Sequence, residues 1–249
     1  MQASQPAPVL VAHRGHAAER PENTLVALQD AVDAGARWVE VDVQLSRDGV
    51  PVLLHDADLQ RVAGRPQTVF ELDAAALAAI PAGEPERFGD RFGDARIPRL
   101  GDFAAWLQGR PEVHAFVELK SESLERFGRA PLLAACLDAL APAAGQWHLI
   151  SYDYEVLLLA HERDIGGLGW VVRGFDAGVA AQARRIEAAW LFCNHERLPP
   201  GPLPGGPWEW VLYEVGDVTT ARALLARGAR WLETMQFRAL TAALEREAV

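Results

Sequence analysis

Cysteine is nearly absent: Cys136 and Cys193 are the only two in 249 residues. Two thiols make neither a disulfide framework nor a zinc cluster. Each sits among apolar neighbours, where a small buried hydrophobe is expected. Long apolar runs are missing too, and without 18 consecutive apolar residues no membrane span is expected. Basic residues are in deficit, with 24 Lys and Arg against 34 Asp and Glu and a formal net charge of −10. That balance argues against a nucleic-acid partner, which needs a basic field to release counterions. It leaves a small anionic substrate open, because one local cation overrides the global field. The opening MQASQPAPVLVAHRG lacks a basic stretch and a long apolar run. No signal peptide is expected there, and a cytoplasmic location follows. No P-loop lysine pattern, other glycine-rich phosphate loop or GxSxG elbow occurs either.

What is present is a chain that is 50% hydrophobic and 23% charged, enough to bury a sizeable core. Its length suits one α/β barrel as well as two small domains, so the order of elements must decide. VLVA (9–12) reads as a buried strand stopped by His13-Arg14-Gly15. A helix is predicted from an Asn23 N-cap, with Leu25, Leu28, Ala31 and Val32 on one face and Gly35 as its stop. RWVEVDV (37–43) is the next strand, and Asp48-Gly49 turns the chain into VPVLLH. Residues 56–97 break the rhythm with Gly, Pro and charge, and one short helical piece at 73–80. They read as a rim insertion with too few apolar residues for a core of its own.

Beyond it, helical patterns cover 99–109, 130–141, 153–163, 177–187, 217–227 and 237–247. Between them lie the strand candidates 113–119, 147–151, 168–172, 189–193, 210–215 and 229–233. LPPGPLPGGP after the sixth strand is too rich in Pro and Gly for a full helix. Eight βα units imply a (β/α)8 TIM barrel, a single domain over 1–249 with a small rim insertion after the second strand.

The active site of such a barrel lies at the C-terminal ends of its strands, and titratable residues gather there. Strand one ends on His13-Arg14, strand two carries Glu40 and Asp42, its hairpin return ends on His55-Asp56, and 113–119 ends on Glu118 before Lys120. Glu40 and Asp42 are two apart and share a face, leaving Val39, Val41 and Val43 to the helices. With Glu118 they form a three-carboxylate group whose oxygens suit Mg2+ or Ca2+ rather than Zn2+. A buried salt-bridge cluster with Arg14 and Lys120 is the other reading. His13 and His55 are the natural proton-transfer pair. Arg14 offers a planar fork for phosphate oxygens and Lys120 a second positive charge. Together these groups suit cleavage of a phosphate diester. His114, His148, His161 and His195 lie apart from the cluster and read as surface or structural, although Asn194-His195 follows a strand near the mouth. The eight tryptophans fall mostly in strand or helix patterns and read as core.

The segments VAHRGHAAERPENTLVAL, EVDVQLSRDGVPVLLHDADL and VELK, with IPRL between, resemble the glycerophosphodiester phosphodiesterase family in order and spacing. The resemblance covers roughly residues 9–60, resumes at 97–100 and 117–120, and continues weakly to the end. It implies a bacterial cytosolic type of TIM barrel with a small rim insertion. His13 and His55 would be the general acid–base pair, Glu40, Asp42 and Glu118 the ligands of Mg2+ or Ca2+, and Arg14 and Lys120 the substrate-phosphate contacts. The implied reaction releases an alcohol from a small glycerophosphodiester and leaves sn-glycerol 3-phosphate.

The later strands depart from the family pattern. Tyr213-Glu214-Val215-Gly216 and Thr234-Met235 stand where polar Asn and Asp are usual, and Glu233 is an unusual acidic neighbour. Arg61-Val62-Ala63 replaces Arg-Thr-Thr, and the loop that follows is shortened. These changes bear on substrate positioning rather than on the proton-transfer or metal residues. Tyr213 and Phe92 are candidates to line the glycerol or alcohol pocket. A lysophospholipase D-type activity needs an apolar groove at the mouth, and a non-catalytic phosphometabolite-binding barrel would need no acid–base pair. Oligomeric state is not legible in the sequence.

Overall fold

The computed structural model describes residues 7–246. Residues 1–6, where no leader is expected, and 247–249, with the predicted end of the last helix, lie outside the described residues. The chain runs through strand β1 (Val9–Ala12), helix α1 (Leu25–Asp33) and strand β2 (Trp38–Leu45). Strand β3 (Pro51–Leu53) returns antiparallel along β2. The rim excursion holds β4 (Asp58–Leu59), α2 (Gln60–Ala63), β5 (Arg65–Thr68), α3 (Ala74–Ala79) and α4 (Pro85–Phe88). The alternation resumes with α5 (Leu100–Gln108), β6 (His114–Leu119), α6 (Ser121–Phe127) and α7 (Arg129–Leu140). Then follow β7 (Trp147–Ser151), α8 (Tyr154–His161), β8 (Gly169–Val172), α9 (Ala177–Arg185) and β9 (Trp190–Asn194). Last come β10 (Glu209–Tyr213), α10 (Val218–Ala226), β11 (Trp231–Thr234) and α11 (Phe237–Arg246).

Eight of these strands close a parallel barrel, because β1 pairs with β11 on one side and β2 on the other. All eight predicted barrel strands are present, and β9 is followed by a single 3-10 turn at His195–Arg197 instead of a full helix. Period-2 alternation sorts the side chains. Val39, Val41 and Val43 are fully buried against the helix layer, while Val11, Phe116, Ile150, Val171, Phe192 and Val211 pack inside the barrel. At the N-terminal ends of the strands an aromatic plug closes the lumen. Trp38 stacks on His114 and His148 at centroid distances of 4.8 and 5.5 Å, with Trp231 edge-on to it at 4.8 Å.

Two local expectations are corrected. The N-cap of α1 is Thr24, whose hydroxyl accepts the Ala27 N–H at 3.2 Å. Asn23 instead adopts a left-handed φ of 52° and turns its amide toward the barrel. The rim excursion also has its own apolar cluster, since Leu59, Val62, Val69 and Leu77 pack with Val52 and Leu54 of the hairpin return. Eight of the cluster's ten buried members, from Leu59 to Ile97, belong to the excursion, so its own sequence supplies most of the apolar area.

Candidate active site

The HRG turn begins the site. Gly15 has φ +78°, and a Cβ there would meet the Ala27 carbonyl carbon at 2.6 Å, so only glycine lets the turn pack on α1. Arg14 is itself left-handed at φ 54°. Its backbone N–H donates to Glu40 Oε2 at 3.1 Å, tying the end of β1 to β2. Glu40 and Asp42 leave β2 on one face, and Asp42 is in register with Glu118 on β6. One ligand oxygen from each of Glu40, Asp42 and Glu118 lies within 4.8 Å of the other two.

The sequence-predicted cations lie against this trio. Lys120 Nζ is 3.2 Å from Asp42 Oδ1 and 3.1 Å from Glu118 Oε1. It is the only lysine among the chain's 24 basic residues, and its compact ammonium fits between two carboxylates where a planar fork would not. Arg14 places Nε 3.0 Å from Asp42 Oδ2 and donates from Nη1 to Glu22 Oε1 at 3.1 Å. Asn23 donates from Nδ2 to Asp42 Oδ2 at 2.9 Å. Asp42 is thus salt-bridged, as the second of the two readings expects, while Glu40 Oε1 and Asp42 Oδ1 are buried without a hydrogen-bond partner.

His13 and His55 reach the same cavity but are held differently. His55 Nδ1 bonds Asp56 Oδ1 at 2.6 Å, and Arg61 donates to Asp56 Oδ2 at 2.7 Å and to Glu22 Oε1 at 2.8 Å. Glu22 thus links Arg61 to Arg14. His13 Nε2 instead faces two carboxylates, Glu40 Oε2 at 3.7 Å and Glu233 Oε1 at 3.3 Å.

Burial dominates the electrostatics. It pushes Glu40 well above the usual carboxylate range, reinforced by Asp42, Glu233 and Glu118. Glu233 is raised in the same way, by burial and then by Glu118 and Asp42. Glu118 is raised by burial against the opposing charge of Lys120. Burial would also raise Asp42, but Lys120 and Arg14 overcome it and hold Asp42 below its ordinary value. Burial and the neighbouring Arg14 charge lower His13 well below an ordinary imidazole. Raised values on Glu40, Glu118 and Glu233, with orphaned oxygens on Glu40, Asp42 and Glu233, mark a cluster whose chemistry suits a hard divalent cation.

The resulting cavity of about 140 Å³ is lined by His13, Arg14, Glu40, His55, Glu118 and Lys120, with Tyr152, Tyr213, Glu214 and Glu233 among the remaining walls. Tyr213 is there as expected, its hydroxyl 2.6 Å from that of Tyr152. Phe92 is not in the wall; it packs edge-on to Phe88 in the rim excursion. Asn194 caps the turn after β9 by accepting the Glu196 N–H, and neither it nor His195 lines the cavity. A larger groove of about 510 Å³ is lined by residues at the N-terminal ends of β1 and β2 and by α11. It has no cluster of carboxylates and histidines, so chemistry rather than size selects the smaller cavity.

Sequence reasoning did not assign Glu22, Asn23, Asp56, Arg61 or Glu233. Two of them carried a signal: Asp56 directly follows His55 at a strand end, and alternation along ARWLET places Glu233 on the inner face with Trp231.

The matching family model, the glycerophosphoryl diester phosphodiesterase family, covers residues 13–130. A glycerophosphodiester phosphodiesterase of Caldanaerobacter subterraneus subsp. tengcongensis is 34% identical over 113 residues, 45% of each chain. The human glycerophosphodiester phosphodiesterase 1 is 34% identical over 95 residues, 38% of this chain and 29% of that one. The alignments thus span less than half the length of these curated relatives. An Oleispira antarctica phosphodiesterase solved with sn-glycerol-3-phosphate superposes with a TM-score of 0.85 at 23% identity, covering 96% of this chain and 97% of that one. A Silicibacter pomeroyi structure superposes with a TM-score of 0.81 at 20% identity over 98% and 96%. At these identities the superpositions establish the barrel fold.

Proposed function

Because the chain belongs to the glycerophosphoryl diester phosphodiesterase family, we propose that it hydrolyses small glycerophosphodiesters to an alcohol and sn-glycerol 3-phosphate. The observation that carries this reading is the oxygen trio of Glu40, Asp42 and Glu118 in one cavity with Lys120, Arg14 and two histidines. The trio would hold a divalent cation, Mg2+ or Ca2+, which when bound offsets charge on the non-bridging phosphate oxygens. Arg14 and Lys120 orient the phosphate. Arg14 donates from Nη1 to Glu22 and sets Nε 3.0 Å from Asp42, which restrains its guanidinium. His13 and His55 carry the protons: one activates the nucleophile, and the other protonates the departing alkoxide. Asp56, held by Arg61, orients His55 through Nδ1 and leaves Nε2 for transfer. A cavity of about 140 Å³ suits a phosphate and a glycerol better than a long acyl chain. The small substrate is therefore preferred over a lysophospholipid. Among the described residues no helix is long and apolar enough to cross a membrane.

A coupled assay for glycerol 3-phosphate over several glycerophosphodiesters tests the proposal. Activity abolished by EDTA and restored by Mg2+ or Ca2+, and lost in His13→Ala and His55→Ala, is the expected result. Full turnover in EDTA, or in both histidine variants, would overturn it.

A further inference from the structure

His13, Glu40 and Glu233 all line the catalytic cavity, and one ligand atom from each lies within 4.8 Å of the other two. They form a second group beside the oxygen trio of Glu40, Asp42 and Glu118, and Glu40 belongs to both. The donors differ. The trio offers oxygens alone, whereas this group adds an imidazole nitrogen to two carboxylates. A nitrogen donor moves the preference from Mg2+ and Ca2+ toward Zn2+ and related transition-metal ions.

The spacing is already close to that of a coordination shell. Ligands about 2.0–2.2 Å from a tetrahedral ion stand roughly 3.3–3.6 Å from one another. His13 Nε2 is 3.3 Å from Glu233 Oε1 and 3.7 Å from Glu40 Oε2. The strand ladder holds these positions, since Val11 is in register with Glu233 and the His13 N–H donates to the Thr234 carbonyl at 3.0 Å. Glu233 is 3% exposed, beside Ile150, Val171 and Phe192 in the cavity wall. A carboxylate so buried is costly unless a partner compensates it. Asp42 has Lys120 and Arg14 for that purpose, while among the described residues the ion-pair contact of Glu233 is with His13. Glu233 Oε2 and Glu40 Oε1 are both buried without a hydrogen-bond partner.

We propose that His13, Glu40 and Glu233 form an inhibitory site for Zn2+, occupied alongside the cation of the oxygen trio through the shared Glu40 carboxylate. Paired ions in two-metal sites stand about 3.5–4 Å apart, a span that one bridging carboxylate covers. His13 Nδ1 is buried without a hydrogen-bond partner, so Nε2 is the ring nitrogen that meets the cavity. An ion on Nε2 takes its lone pair, and the ring can then neither accept nor deliver a proton. The inhibition, though not the binding, rests on the reading of His13 as a proton-transfer residue.

The experiment titrates the full chain with Zn2+ in excess Mg2+. Bound zinc is counted by elemental analysis, His13 is followed by its ring 15N resonances, and glycerol 3-phosphate release is read directly by 31P NMR. The wild type should keep one Zn2+ per chain despite the Mg2+, with the His13 Nε2 resonance shifted. Its rate should fall by about 100-fold or more, the scale of a lost acid–base group. Dialysis of the zinc against Mg2+ should restore it. Glu233→Leu and the near-isosteric Glu233→Gln should each weaken Zn2+ binding by at least the roughly 10- to 100-fold that loss of an outer partner costs. Inhibition of each variant is scored against its own zinc-free rate, and thermal melts check that both fold. Zn2+ displaced by Mg2+ would place it in the oxygen trio and overturn the proposal. So would unmoved His13 resonances, or Zn2+ affinity unchanged in both Glu233 variants. A fully active His13→Ala would sink the parent reading and with it the inhibition. An inactive His13→Ala beside a wild type that keeps no Zn2+ would sink the second site alone.

Discussion

Asn23 brackets Asp42: its Nδ2 donates to Asp42 Oδ2 at 2.9 Å, and its Oδ1 accepts the Asp42 backbone N–H at 3.0 Å. The left-handed φ of 52° that allows this is one Asn tolerates better than most residues. Asn23→Ala removes both bonds and leaves a buried N–H without a partner, a loss of about 1–3 kcal/mol of stability. It also frees the Asp42 carboxylate to rotate, and loss of such an outer partner typically costs about 10- to 100-fold in metal affinity. Calorimetric titration with Ca2+ or Mg2+, paired with thermal melts, checks both effects. Unchanged affinity would mean that Arg14 and Lys120 alone orient Asp42.

A second chain of contacts runs from His55 through Asp56, Arg61 and Glu22 to Arg14. It joins a proton-transfer residue to a phosphate-contact residue through alternating charges. Asp56 is held below the ordinary carboxylate range against its burial, chiefly by the bonds from Arg61 and His55. Asp56→Asn keeps the size but loses the charge that favours the proton on Nδ1. The expected result is a fall in kcat of roughly 100-fold with KM little changed, the scale of losing the preferred tautomer and alignment. A comparable fall in Arg61→Met would show that the whole chain, not Asp56 alone, sets the ring.

These contacts explain what was legible in the sequence and what was not. The barrel strands were readable because each is a local apolar run, and Glu40 with Asp42 because their spacing fixes a shared face. HRG and HD placed both histidines at strand ends for the same local reason. Asn23 looked like a helix cap because Asn and Thr are both good caps, and only the tertiary demand of Asp42 decides between them. The links between Glu22 and Arg61, 39 positions apart, and between His13 and Glu233 exist only once the barrel closes. The rim cluster was missed because its apolar residues, from Leu59 to Ile97, are scattered among Gly, Pro and charge without a helix or strand period.

The carboxylate cluster sets a pH dependence with a definite sign. Glu40 and Glu233 titrate above their unfolded values, mainly through burial. The folded state therefore binds more protons than the unfolded one above an unfolded value of about 4.3, and these groups destabilise the fold as pH rises through their folded values. Asp42 acts in the opposite sense, losing its contribution only as pH falls below about 3.9. Cation-stripped protein should thus melt lower at a pH of about 9 than at about 7, a window above the histidine titrations. A divalent cation at about 100 times its Kd adds about 2.7 kcal/mol, which raises the melting temperature by about 5–10 °C for a chain of this size. Melts in EDTA and in excess Ca2+ or Mg2+ measure both effects, and a cation-independent melting temperature would remove the ion from this site.

The opposite end of the barrel supplies a separate acid response. His148 sits in the aromatic plug, 5.5 Å from Trp38 and 4.7 Å from Trp190 between ring centroids. Burial, and then the neighbouring His114, pushes its pKa down to about 4. An unfolded histidine titrates near 6.5, so between the two values the unfolded state binds the extra proton. The stability this ring contributes is complete above about 6.5 and is lost as pH falls toward 4. The loss is capped at about 3 kcal/mol and reduced by the part of the ring that solvent reaches. His148→Phe keeps an aromatic ring in the stack and removes the titration. Its melting temperature should fall less than that of the wild type across this window, while the carboxylate-driven trend at the other end of the barrel stays in place. Parallel acid-side melting curves for the two proteins would assign the loss elsewhere.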